Sequence, residues 1–220
     1  MFSAASIDLP LDGWVSVPNA EYVWTNPAGD VLSAHYFPIP PDLPAPISDL
    51  ASIRGYYRKV LGRNGAIVEV DSTTVSSFPA LRTIVKIRQE PSGMTYVAAT
   101  TIPFAQCSFV AKVQCPERGI TGIRDTAVAA KLNLFSTSGW GSDPYKPSFR
   151  NPILRNRADD QEWDDVFPEH PLSRARSHLE HLCLLSLPRG VESLAVFQGN
   201  PMGVAKPSLL RRLLGRRRSS

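Results

Sequence analysis

Residues 66–115 carry the clearest alternation of apolar and polar positions in the chain. AIVEV, LRTIVKIRQ, TYVAATTIP and CSFVAKVQC are rich in β-branched and aromatic residues and are separated by turn residues, which predicts consecutive strands. In the last of these, Cys107, Phe109, Ala111, Val113 and Cys115 fall on one face, and Ser108, Lys112 and Gln114 on the other. One buried and one wet face is the pattern of an antiparallel meander, and EPSGM supplies a hairpin turn within it. Upstream, WVSVP, YVWTN and VLSAHYF read as shorter strands, the last two joined by the tight turn PAGD.

Three stretches change to helical spacing. Leu50, Ile53, Tyr57 and Leu61 predict a helix capped by Ser48 or Asp49 and ended by Gly62 and Gly65. GITGIRDTAVAAKLNL reads as a loop into a helix, with Thr121 as the cap and Ile123, Ala127, Ala130 and Leu134 facing inward. HPLSRARSHLEHLCL enters a third helix through Pro171 and places Leu172, Ala175, Leu179, Leu182 and Cys183 on one stripe. His178 lies beside that stripe, His181 and Arg174 opposite it, and Ser173, Ser177 and Glu180 on the remaining polar arc. The segment VESLAVF fits either a strand or a short helix.

The expected fold is α+β: an antiparallel sheet of about six strands, with helices near 48–61 and 121–134 packed on one side and a helical carboxy-terminal extension. Residues 1–135 would form the sheet domain, 136–200 an irregular and helical extension packed on it, and 201–220 a basic, disordered tail.

Charge refines this division. The formal net charge is +4, but Lys206, Arg211, Arg212, Arg216, Arg217 and Arg218 lie in the last fifteen residues with no acid among them. Residues 1–205 therefore carry 18 basic and 20 acidic side chains, a net −2, so the body is not a basic nucleic-acid binder. Leu209, Leu210, Leu213 and Leu214 would form an apolar arc if the tail became helical against a partner. The tail suits reversible contact with an anionic membrane, a nucleic acid or an acidic protein surface. The amino terminus lacks the basic and apolar regions of a signal peptide, and no stretch approaches the apolar length of a membrane span. Three cysteines without CxxC spacing suit a reducing compartment, and the expected location is cytoplasmic.

Candidate chemistry is sparse. The histidine-rich helix reads HLEH, which matches neither H-E-x-x-H nor H-x-x-E-H, and GxSxG is absent. Asp159, Asp160, Glu162, Asp164, Asp165 and Glu169 cluster as a hard cation would require, without the order of a calcium loop. Gly119–Gly122, between Arg118 and Arg124, offers amides to a phosphate but is not a P-loop. Arg82, Lys86 and Arg88 line one strand face, with Lys112 on a neighbour; together with the tail residues Arg211, Arg212, Arg216, Arg217 and Arg218 they form the candidate binding surface. No catalytic residue, metal ligand or cofactor is assigned.

Two resemblances add to this reading. DPY, RNRADD, WDD and FPEHPLSRAR, between Asp143 and Arg176, resemble the carboxy-terminal part of a family of uncharacterised bacterial proteins. That resemblance implies no activity. The order of a GW-VP strand (Gly13, Trp14, Val17, Pro18), a hairpin, a helix and an antiparallel meander is similar to the PsbP/Mog1-like fold, whose members are generally non-enzymatic accessory or binding proteins.

The expected function is thus a non-catalytic cytoplasmic accessory protein that binds another protein, its tail adding electrostatic contact. Two alternatives stand beside it. One is a hydrolase whose site forms from His35, His170 and the acids at 159–165; the other is a peripheral membrane protein held by the tail. An enzyme would need His170 or His178 in a cleft within about 3 Å of a carboxylate or hydroxyl oxygen.

Overall fold

The computed structural model describes residues 2–134 and 140–200. Alternating β-branched and aromatic positions build seven strands: β1 (Val15–Ser16), β2 (Val23–Thr25), β3 (Val31–Phe37), β4 (Gly65–Val75), β5 (Phe78–Arg88), β6 (Met94–Pro103) and β7 (Ser108–Pro116). They form one antiparallel sheet in the order β1-β2-β3-β7-β6-β5-β4. The fold is α+β on an antiparallel sheet, with one strand more than the six expected.

α1 (Leu50–Leu61) starts where the Asp49 carboxylate accepts from the Ser52 amide at 3.1 Å, and it stops at Gly62, whose φ of 56° is left-handed. α2 (Ile123–Lys131) follows Gly122 at φ 74°, so that glycine takes the cap position expected of Thr121. α3 (Pro171–Leu182) has Pro171 in its first turn, where the missing N–H has no intrahelical partner to lose. Within VESLAVF the chain makes one 3-10 turn, Val191–Ser193, and then an isolated bridge from Val196 to Phe104.

The helices do not share one side of the sheet, which corrects the expected arrangement. Ile53, Tyr57 and Leu61 of α1 pack on Ile67, Val70, Leu81, Val85 and Val97. Leu172, Ala175, Leu179 and Leu182 of α3 pack on the opposite face, against Ile84, Tyr96, Ala98, Phe109, Ala111, Val113 and Cys115. α2 reaches this second face, since its Arg124 bonds Ser173 of α3. The physical reason lies in β6, which is buried without interruption from Tyr96 to Pro103. A strand apolar on both faces needs a layer on each. Burying Leu172, Leu179 and Leu182 contributes roughly 1.5–3 kcal/mol each.

Candidate functional site

The polar residues that gave 143–182 its resemblance to a chemical site are bonded to one another and to the sheet. Asp143 accepts from Arg58 of α1 at 2.7 and 2.5 Å, and the Tyr145 hydroxyl donates to Asp71 at 2.9 Å. Asp159, fully buried, meets the ammonium of Lys86 at 2.5 Å and accepts from the Asn156 amide at 2.8 Å. Burial alone would raise its pKa; the Lys86 charge and these bonds hold it below the usual carboxylate range. Asp164 accepts from Arg124 and Arg176, both at 2.9 Å, and from the Ser173 hydroxyl at 3.0 Å. Asp160 pairs with Arg155 and Arg157. Three acids of the run, Asp159, Asp160 and Asp164, thus face cations of the chain's own. Ser173, expected on a solvent arc of α3, is buried within this network.

A second node forms at Asp30, which ends the β2–β3 turn with no exposed surface. Arg174 grips it in a two-pronged bond, Nε to Oδ2 and Nη2 to Oδ1, both 2.9 Å. His178 Nε2 lies 3.0 Å from Oδ2, which meets the distance an enzyme would need, but Asp30 has no exposed surface for a substrate to reach. The imidazole rests on Trp14 with ring centres 5.0 Å apart. Arg174 and His178, one turn apart on α3, thus converge on a single carboxylate instead of pointing away from each other. Desolvation opposes the Asp30 charge, yet bonds from His178 and Arg174 outweigh it and depress its pKa. Asp30, Cys115 and His178 place one ligand atom each within 4.8 Å of one another. A metal would have to displace the guanidinium that already occupies both Asp30 oxygens. Burial and the Asp30 charge push the Cys115 thiol up, which keeps it protonated and a poor nucleophile.

On the other face, His35 Nε2 lies 3.0 Å from Ser33 Oγ, and Lys112 is the cross-strand neighbour of Ser33. Desolvation, with Lys112 adding to it, lowers His35 to about 4. Burial lowers Lys112 to about 8. A serine–histidine pair beside a cation has no acid to stabilise an imidazolium, the reverse of what a general base requires. His35 and His170 lie on opposite faces of the sheet, so the hydrolase set of His35, His170 and the 159–165 acids does not meet.

The candidate binding surface divides in the same way. Arg82 is bound by Glu69 at 2.6 Å with Glu180 at 3.8 Å, Lys86 is buried against Asp159, and Arg88 is exposed at the end of β5. These three share the α3 face. Lys112 pairs in register with Ala99 and faces the other way, so the four do not make one surface. The tail residues Arg211, Arg212, Arg216, Arg217 and Arg218 lie outside the described residues.

The group that remains is a cleft of about 460 Å³ beside the N-terminus of α3, lined by the β7–α2 connection and residues 166–171. His170 stands at its base. The ring Nδ1 accepts from the Leu172 amide at 3.2 Å, and Nε2 lies 3.7 Å from Glu117 Oε1. The lone pair that a general base would use thus caps the helix. Glu117 accepts from the amides of Met94 at 2.7 Å and Gly122 at 3.1 Å, which with His170 hold its pKa down against burial. Glu117 thereby occupies the amide that the sequence offered to a phosphate, while Arg124 is turned into the Asp164 network. Beside the exposed Arg118 and Glu169, this cleft presents three apolar side chains outward: Ile120, Ile123 and Val166 are 82%, 55% and 56% exposed. Among the described residues seven large apolar side chains are exposed, and three of them line this cleft. Sequence reasoning missed it because Ile120 and Val166 are lone apolar residues in loops and because the spacing turns Ile123, Ala127 and Ala130 inward, whereas α2 buries Arg124 and Val128 and leaves those three exposed.

No family model and no curated protein matches the chain. Among solved structures it is similar to a Pseudomonas aeruginosa protein of unknown function, at 11% identity over 59% of this chain and 79% of that one, with a TM-score of 0.32. Cyanobacterial PsbP from Synechocystis gives 12% identity, coverage of 55% and 76%, and 0.33. LpqN, involved in cell envelope biogenesis of Mycobacterium tuberculosis, gives 18%, 58% and 78%, and 0.33. Likenesses at this level assign no function and no residue role. No helix among the described residues is long and apolar enough to cross a membrane.

Proposed function

We propose that the protein is a non-catalytic accessory protein that binds another protein through the cleft beside α3. Its support is the convergence of Ile120, Ile123 and Val166 on one concavity in which Glu117, Arg124 and His170 are already bonded internally. Exposed apolar side chains gathered at a cleft are the usual mark of a docking site, whereas scattered ones are not. The partner contributes apolar side chains to this cleft, and the basic residues 206–220 add an electrostatic contact. Three free thiols, two of them buried, support a reducing compartment such as the cytoplasm as its setting.

Site-specific crosslinking tests this. With a photoreactive residue replacing Ile120 in the full chain, illumination in native lysate should give a discrete adduct, and the same residue at exposed Arg63 should not. Ile123→Asp should lower adduct yield at least tenfold while leaving the fold intact, because an acid suits the first turn of α2. Ending the chain at Ala205 should weaken the adduct and its salt sensitivity. Equal adducts from both positions, or none from Ile120, would overturn the reading.

A further inference from the structure

β4 is an edge strand, and its free edge is treated differently along its length. In the first half three outward main-chain groups are occupied. Asn151 donates to the Gly65 carbonyl at 3.0 Å, Arg54 Nε donates to the Val70 carbonyl at 3.0 Å, and the Val70 amide donates to the Tyr145 hydroxyl at 3.0 Å. Those two bonds at Val70 fix the phase of the strand. Every second residue onward, Ser72 and Thr74, must also direct its N–H and C=O away from β5, in step with the hairpin pair Val75–Phe78 that closes the ladder. Ser72 and Thr74 are exposed, and their main-chain groups meet no other described residue. Open strand edges are ordinarily protected, as the first half of this one is.

Beside the open half lies a groove of about 510 Å³. Ser72, Thr73 and Thr74 form one wall; Ile47, Phe104, Leu194, Val196 and Phe197 give it an apolar floor, and Val196 is 60% exposed. Among the described residues its one charged lining residue is the acid Glu192, one of whose oxygens accepts from the Gly190 amide at 2.8 Å. Four backbone groups in a row with no partner among the described residues suit an extended chain. The adjoining pocket recognises a side chain at alternate positions, and the lone acid recognises a base.

We propose that Ser72–Thr74 receives an extended segment of a partner protein as an eighth strand, with an apolar side chain in this groove and a lysine or arginine opposite Glu192. The site is separate from the cleft at Ile120 and does not depend on it.

The probe is a phage-displayed library of random nonapeptides selected on the full chain. Enriched sequences should alternate apolar residues with others and include a basic residue. Their binding should fall at least tenfold in Ser72→Pro, which deletes an outward N–H without touching the β4–β5 ladder. Val196→Asp should weaken the same peptides, and methylating alternate amides of a selected peptide should abolish binding to the unaltered protein, which keeps the test decisive if Ser72→Pro does not fold. The proposal is overturned by three results: enrichment indifferent to Ser72→Pro and to N-methylation, a dimer that protects the Ser72 and Thr74 amides from exchange, or protection that vanishes when the chain ends at Ala205. The last two outcomes would assign the edge to a second copy or to the chain's own tail.

Discussion

Lys86 sits between Val85 and Ile87 near the end of β5, and its alternation correctly puts it on one face with Arg82 and Arg88. Strand period says which residues share a face but not what lies over that face, so an ion pair whose partner is 73 residues away reads as a solvated patch. The same gap explains Ser173, Arg174 and His178, whose partners come from other elements. Removing one member of a buried pair strands the other, which costs about 3–5 kcal/mol, whereas replacing both with apolar groups is often nearly neutral. Asp159→Ala should therefore lower stability by roughly that amount, and the double variant Lys86→Met/Asp159→Leu should recover most of it. Urea midpoints for Asp159→Ala, Lys86→Met and the double measure this; a double variant no better than Asp159→Ala would show that the carboxylate matters through its bond to the Asn156 amide instead.

Among the elements, helices are legible in the sequence where caps and periodicity agree, as at Asp49 and Gly62 for α1 and Pro171 for α3. Strand identity was legible for the same reason, while boundaries and layering were not. β4 and β5 extend to Val75 and Phe78, meeting in a two-residue turn at Ser76 and Ser77. That hairpin carries no glycine or asparagine to announce it, although both serines hold left-handed backbone at φ 48° and 72°. Ser76 is retained by a bond from its hydroxyl to the Leu185 carbonyl at 3.0 Å. Ser77 is exposed and has no such bond, so its side chain only adds strain. Ser77→Gly should raise stability by about 1 kcal/mol, visible as a higher melting temperature with an unchanged spectrum. The opposite error concerned the sheet as a whole. An uninterrupted apolar run such as β6 asks for cover on both faces, and that signal outweighs the half-wet pattern read from β7.

For the whole molecule, the segment from Asp143 to Arg176 is joined to the rest of the fold by carboxylates. Asp143 with Arg58, Asp159 with Lys86, Asp30 with Arg174, and Glu117 with His170 all cross that boundary. Each of these acids has its pKa lowered by its partner or its hydrogen bonds despite burial. A depressed carboxylate contributes stability that is complete above its unfolded value and is lost as pH falls through the folded one. These four links therefore hold near neutrality and fail below about pH 4. Asp125, raised by burial, acts in the opposite sense and offsets only part of the loss. His35 adds an earlier phase: lowered to about 4, it stays neutral in the fold while the unfolded chain binds its proton below 6.5. Stability should thus decline gently from pH 6.5 to 4, with His35→Gln flattening that portion alone, and then steeply. Melting temperatures across pH 3–8 check both phases. Hydrogen exchange near pH 4 should show α3 opening before β5, β6 and β7, since the failing links hold the segment and not the sheet. A melting temperature that rises as pH drops from 6.5 to 4.5 would mean that His35 gains a partner on protonation, and the uncharged pair with Ser33 would have to be abandoned.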